Sequence, residues 1–590
     1  MKMKRSFLAV LFVISIQNIF AKSTLDTLNV SIKFYQKIEL SDGIKLSSNI
    51  YFPENYDKRK KYPTVLVITP YVSDENHERG LFFSRNDYVF ITVDCRGRGN
   101  SEGEFIPFES DGKDGAEVIN WIGKQSWSNG KVGMFGGSYR GMNQWLILKE
   151  FPKNLKTIIP IASVGPGLDF PKYNNIFYPY VMRWLMLTSG KTINQKLFGE
   201  DFWKQKREQL YLEGKPFNSY DEIVGFPKKV FQKWISHPSH DEFWQQFYFT
   251  KEQSKKVNIP ILSITGHFDS DQPGAMKYYS DHMNNGNEEA KSNHYLIVGP
   301  WSHGGTRRPK KEFWGLKFGE NAVIDMNDLY LKWFNWTLKE GKKPTILKDK
   351  IMLYTMGENT WNYTTKLDEL SNGEKELFLS SFNSEANDVF SSGDLLDAPL
   401  SNDLNPDIIV YDPSKKKGIN SASYNSKISE VFTDQSYVND EDILIYHSKP
   451  LEEDMEVNGK IRFEAYISMD VEDTDLEVTM YEISKDNSSK FLQKDQIRAR
   501  YRKGLEKPVL VRKNVIEKYV FEGENLFSRV IKKGSRIRLV FSSIDKPNVQ
   551  RNFNSKEDPS IQKMENAKIA TIKLFHNKKY PSRIVLPIKR

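Results

Sequence analysis

Six short apolar runs constrain this chain more than any other feature: Thr64–Thr69, Tyr88–Val93, Lys131–Phe135, Thr157–Ile161, Ile259–Thr265 and Tyr295–Val298. Runs of this length without polar alternation must be covered on both faces, which is the situation of strands inside a parallel sheet. Helical patterns lie between them. From Asp114 to Lys124, Val118, Ile119, Trp121 and Ile122 fall on one broad face, and Asn129-Gly130 then turns the chain into the next run. Met142 to Lys149 reads as a helix stopped before Pro152. Residues 29–52 alternate around Ser41-Asp42-Gly43, as an antiparallel hairpin does. Strand and helix in alternation predict a doubly wound α/β domain.

With 590 residues the chain exceeds what one core can hold. Between 166 and 254 the strand signal stops and aromatic residues crowd in, among them Trp184, Trp203, Trp234 and Trp244. This predicts a helical cap whose aromatics form mostly its own core, with a minority lining a pocket. Ser239 and Glu242 have the spacing of a capping box. The α/β pattern resumes over 255–345, where an amphipathic helix from about Val323 to Lys339 runs to Gly341, expected as its C-cap. From 346 to 590 short alternating segments, such as Lys460–Ile467 and Arg536–Phe541, predict an all-β sandwich. The expected division is therefore 22–165 with 255–345, a cap at 166–254, and the sandwich at 346–590.

Lys2, Lys4 and Arg5 precede an apolar stretch from Phe7 to Ile16 and then Ala21, so residues 1–21 read as a signal peptide cleaved near Ala21. Export to the periplasm or beyond is expected, without stable membrane insertion, because that stretch is too short to span a bilayer. The formal net charge of +9 is spread in short surface runs such as Lys415-Lys416-Lys417. No basic stripe interleaved with aromatics is present, so no nucleic-acid partner is expected. Cys95 is the one cysteine, which excludes an intrachain disulfide, and it reads as a small buried hydrophobe. The sequence carries no signal for an oligomeric state.

Ser138 stands in Gly136-Gly137-Ser138-Tyr139-Arg140-Gly141, between a strand and a helix. A nucleophilic serine on so sharp a turn needs small neighbours, which the three glycines supply, although Arg140 occupies the place where Gly-x-Ser-x-Gly ends. A serine hydroxyl also needs an imidazole base and a carboxylate to orient it. Later strands end in Gly266-His267-Phe268-Asp269-Ser270-Asp271 and in Gly299-Pro300-Trp301-Ser302-His303. Asp269 and His303 thus follow Ser138 in the order nucleophile, acid, base. His267 precedes the acid and is a candidate pocket residue; the remaining histidines read as surface or helical. Asp94 and Arg96 are expected to brace their loop as an ion pair. No His, Cys and carboxylate set has metal-ligand spacing, so neither a metal nor an organic cofactor is expected.

Gly-x-Ser-Tyr-x-Gly, Gly-x-x-Asp and Gly-Pro-Trp-x-His, followed by a sandwich, resemble the α/β-hydrolase family of cocaine esterase, α-amino-acid ester hydrolases, glutaryl-cephalosporin acylases and X-Pro dipeptidyl-peptidases. Asp94–Gly97 with Ser101–Gly103, Trp127–Gly130, Met356–Trp361, Arg498–Arg502 and Gln550–Asn552 extend the resemblance over nearly the whole chain. It implies an α/β-hydrolase domain with a helical cap and a jelly-roll-like sandwich, acting on a small-molecule ester or amide. It also implies an oxyanion hole made by a tyrosine hydroxyl, here Tyr71, and the backbone N–H of Tyr139. In relatives that bind a free α-ammonium, carboxylates cluster near the acid. Asp271 could supply one, but Gln272 and Asn174-Asn175 are neutral. Three readings stay open: an esterase or acylase, an X-Pro dipeptidyl-peptidase, and a non-catalytic glycan-binding protein.

Overall fold

The computed structural model describes residues 30–193, 199–382, 384–399, 405–415, 431–432 and 442–590. The expected signal peptide lies outside the described residues. Ten strands form the first sheet among the described residues: β1 Ile32–Glu39, β2 Lys45–Tyr51, β3 Tyr62–Thr69, β4 Val89–Asp94, β5 Ser128–Ser138, β6 Leu155–Ser163, β7 Ile261–Phe268, β8 His294–Ser302, β9 Ile351–Thr355 and β10 Thr360–Thr364. Their spatial order is β1-β2-β4-β3-β5-β6-β7-β8-β9-β10. From β4 through β9 the pairings are parallel. The β3–β8 cores are buried on both faces, which is why their sequences lack alternation. Helices Asp111–Gly123 and Tyr139–Leu148 cover one face, and Met326–Lys339 covers the other. The boundary expected at 345/346 falls short of this arrangement. The apolar run Ile351–Tyr354 is too brief to read as a continuation of a parallel sheet, yet Leu296–Val298 pairs in register with Ile351–Leu353.

The helical cap is inserted between β6 and β7. Phe170, Trp184, Trp203, Phe231, Trp234 and Trp244 are buried together in its core. Two local capping expectations fail, one in the cap and one outside it. Ser239 does not cap a helix: its hydroxyl meets the Tyr501 hydroxyl at 2.8 Å, while Asp241 accepts from the Phe243 N–H at the start of Glu242–Gln245. Similarly, helix Met326–Lys339 ends on Glu340, which takes the left-handed conformation at φ 60°, and the Gly341 N–H closes back on Asn335 O.

Beyond the first sheet, fourteen strands among the described residues are joined by pairing into one β-domain. They are antiparallel apart from Gly393–Leu396 beside Ile443–Ser448. Phe463 and Phe541 lie on strands that are not hydrogen-bonded neighbours, yet their rings meet at 5.8 Å across a common core. This domain grips the cap. The Arg498 guanidinium forks onto Asp475 at 2.9 Å twice and donates to Asn175 O and Gln550 Oε1. Tyr173 and Asn174 of the cap reach Asp495 at 2.9 and 3.1 Å.

Candidate active site

Strand β5 and helix Tyr139–Leu148 meet at Ser138, whose φ of 65° and ψ of −127° strain a residue with a Cβ. Close packing against backbone requires Gly141. A Cβ at Gly141 would stand 2.6 Å from Ile161 O, so the helix could not lie against β6. One at Gly137 would stand 2.5 Å from the Arg307 side chain. The one-residue displacement of the last glycine therefore preserves the close packing that the turn needs.

The loops after β7 and β8 carry the other groups. Gly266 and Gly299 are paired in register, and Trp301 fills the space above them, its indole N–H donating to Ala322 O. This packing sets His303 over Asp269. His303 Nδ1 lies 2.8 Å from Asp269 Oδ1. Asp269 is fully buried and also accepts from the Thr265 hydroxyl at 2.8 Å and the Asp271 N–H at 3.1 Å. Against the cost of burial, the hydrogen bond and charge of His303 hold the Asp269 carboxyl below its usual range. Asp271 Oδ2 stands 3.5 Å from the same Nδ1. Burial and the neighbouring Asp269 push Asp271 up to about 6, though His303 opposes the rise. The imidazole loses by burial but gains more from Asp271 and Asp269, so its pKa is raised. Asp269, Asp271 and His303 could present three ligand atoms to a cation within 4.8 Å of one another. The Nδ1 and Oδ1 atoms of that set already satisfy each other.

Tyr71 follows β3. The Trp184 indole N–H donates to its hydroxyl oxygen at 3.1 Å, which leaves the phenolic proton free to donate elsewhere. Burial raises its pKa, against the hydrogen bond of Trp184, the charge of Arg140 and a hydrogen bond with Ser138. The Tyr139 ring is buried, its hydroxyl donating to Asp111 at 2.6 Å and accepting from Phe108 N–H. Its backbone N–H is among the first of its helix and has no intrahelical acceptor. Ser138, Tyr71, Tyr139, His303 and Asp271 share the wall of one cavity of about 310 Å³ with Phe170, Tyr180 and Trp184 of the cap.

Several sequence expectations are displaced. His267 is a strut, not a pocket residue. It is buried between Tyr354 O at 2.7 Å and Leu526 O at 3.4 Å, and burial pushes its pKa down to about 4. Asn174 and Asn175 bond to the β-domain and do not line the cavity, so their neutrality says nothing about substrate charge. Arg96 pairs with Asp114 and Asp42 rather than Asp94, which instead accepts from Ser73 N–H at 2.6 Å. His294, the first residue of β8, and His576, just past a strand of the β-domain, are buried rather than surface or helical. Sequence reasoning missed Arg140 and Arg307 as cavity residues. An arginine where the elbow pattern wants glycine was the available signal for Arg140.

Comparison with known proteins places this site in context. Residues 42–305 match the X-Pro dipeptidyl-peptidase (S15 family) and residues 347–585 match the X-Pro dipeptidyl-peptidase C-terminal non-catalytic domain. Cocaine esterase from Rhodococcus sp. (strain MB1 Bresler) is 25% identical over 585 residues, covering 95% of this chain and 99% of its own. Two solved structures share the fold, each with a TM-score of 0.80. An aminopeptidase from the marine sediment archaeon Thaumarchaeota archaeon is 21% identical, with 96% of this chain and 97% of that one covered. A selenomethionine-labelled α-amino acid ester hydrolase is 20% identical, with 98% and 100% covered.

Proposed function

Because this chain belongs to the S15 and cocaine esterase family of serine hydrolases, we propose that it is an esterase or acylase working through Ser138, His303 and Asp269. One observation carries the reading: the strained Ser138 opens into the same cavity as an imidazole held by a buried carboxylate at 2.8 Å. Ser138 Oγ attacks the carbonyl carbon while His303 Nε2 takes its proton, and Asp269 holds the Nδ1–H. The Tyr71 hydroxyl and the Tyr139 N–H donate to the developing oxyanion, each worth about 3 kcal/mol. His303 then protonates the leaving group, and water resolves the acyl-enzyme by the reverse roles.

The X-Pro dipeptidyl-peptidase reading requires a seat for a free ammonium. Asp271 and Glu75 are the carboxylates on the cavity wall, and they already face His303 and Arg140. The same wall carries Arg140 and Arg307, which repel a cation. A small-molecule ester or amide without that ammonium fits better. No helix among the described residues is long and apolar enough to cross a membrane. On the sequence of residues 1–21 we place the reaction outside the cytoplasm.

A fluorophosphonate probe tests the nucleophile: it should label the wild type and leave Ser138→Ala unlabelled. Equal labelling of both, or none of the wild type, refutes the reading. Turnover of 4-nitrophenyl esters should exceed that of Ala-Pro-4-nitroanilide; rapid release from the anilide with no ester hydrolysis would make the chain a dipeptidyl-peptidase.

A further inference from the structure

Two guanidinium groups on the cavity wall have no part in the acyl-transfer steps above. Arg140 is buried on the helix that starts after Ser138. Its guanidinium sits over the Tyr71 ring at 5.5 Å, with Nη1 3.5 Å from Asn76 Oδ1 and 3.6 Å from Glu75 Oε2. Its buried Nε has no acceptor. Arg307 follows His303 by four residues, and its side chain lies across Gly137, so that a Cβ there would come within 2.5 Å of both its Cδ and Nη1. That Nη1 is buried and has no hydrogen-bond partner among the described residues.

The carboxylates on this wall leave the two guanidinium groups poorly satisfied. Glu75 is half exposed and serves Arg140 at a distance longer than a good hydrogen bond. Asp271 is engaged with His303. Arg79, packed behind on Phe135, adds a third cation, and burial together with the charges of Arg140 and Arg307 lowers its pKa. A guanidinium donor withdrawn from water without an acceptor is costly, and the fork geometry of arginine matches a carboxylate. Arg307 abuts the residue before Ser138 and Arg140 is the second residue after it, so an anion held by both would lie close to the reacting carbonyl.

We propose that the cavity selects an ester or amide substrate that carries a carboxylate besides the bond to be cut, held by Arg307 and Arg140. The proposal rests on the hydrolase reading of Ser138. The carboxylate can belong to the acyl part or to the leaving group, and two substrate pairs separate these. Mono-4-nitrophenyl adipate against 4-nitrophenyl hexanoate tests the acyl side. 4-Hexanoyloxybenzoate against phenyl hexanoate tests the leaving group.

In one of the two pairs the wild type should favour the anionic member at least tenfold in kcat/KM. That preference should fall at least tenfold in Arg307→Gln and approach unity in Arg307→Gln/Arg140→Gln. No preference in either pair, or one that survives in the double variant, overturns the proposal. So does an equal loss on anionic and neutral members, which would make the arginines oxyanion or structural groups. A binding measurement keeps the two readings apart. Mono-4-nitrophenyl adipate or 4-hexanoyloxybenzoate should bind Ser138→Ala in calorimetry, and at least tenfold more weakly when Arg307→Gln is added. Binding with this dependence but without turnover of any substrate would sink the hydrolase reading alone; turnover of neutral esters without it would sink the carboxylate site alone.

Discussion

Removing Asp271 should shift the acid limb of activity in a direction that only its charge explains. Asp271 Oδ2 lies 3.5 Å from His303 Nδ1, on the same side of the ring as Asp269. Two unit charges at that distance attract by about 1.2 kcal/mol at the dielectric of water and by about 5 kcal/mol at an effective dielectric of about 20. The lower figure is the better guide here because the imidazole is 32% exposed. At about 1.4 kcal/mol per pH unit, the expected effect is about one unit. The sign follows from charge. The Asp271 anion favours the imidazolium and raises the pKa of the base, so the wild type needs a higher pH to free it. In Asp271→Asn the base is freed earlier, and the acid limb of kcat/KM for a neutral 4-nitrophenyl ester moves to lower pH by about one unit. A limb that stays in place or moves to higher pH would refute this account of how the imidazole is tuned.

Tyr71→Phe deletes the proposed oxyanion donor and should lower kcat by about a hundredfold; initial-rate assays on a 4-nitrophenyl ester read it, and a change confined to KM would contradict the donor role. Gly141→Ala sets a Cβ 2.6 Å from Ile161 O and should destabilise by about 1–3 kcal/mol, with fluorophosphonate labelling lost because Ser138 is displaced; undiminished labelling would show that the turn tolerates the shift. Asp475→Asn leaves the guanidinium of Arg498, 1% exposed, without its paired charge and should cost about 3–5 kcal/mol in urea unfolding, whereas an effect below about 1 kcal/mol would mark the pair as dispensable.

What the sequence made legible follows from how local each signal is. Ser138, Asp269 and His303 each close a strand whose apolar run is visible, and chain order alone sorts their positions. Tyr71 was reachable through the family resemblance, which implies a tyrosine just after β3. Asp271 as a second carboxylate on His303 was not, since that depends on how the loop after β7 curls beneath the loop after β8. Arg307 was hidden for a related reason: its closeness to Gly137 joins residues 170 positions apart, with no periodicity to announce it. Strands β9 and β10 were hidden because runs this short cannot say which of two sheets they join. The capping expectation at Ser239 failed because a partner far along the chain, Tyr501, captured its hydroxyl.

The acid loop is held from outside its own domain. Asn525 of the β-domain donates to His267 O and Asp269 O at 3.1 Å each, while Gln272 and Leu526 bond to each other in both directions, at 2.6 and 2.9 Å. His267 adds to the seam through Leu526 O, while Tyr354 O of β9 anchors it within its own sheet. The β-domain is thus a clamp, and the enzyme's working lifetime belongs to the clamp. When the seam parts on heating, Asp269 loses its footing although the sheet that bears Ser138 is still folded. Loss of activity should then precede loss of helical signal, and a variant that tightens this seam should outlast one that improves either core.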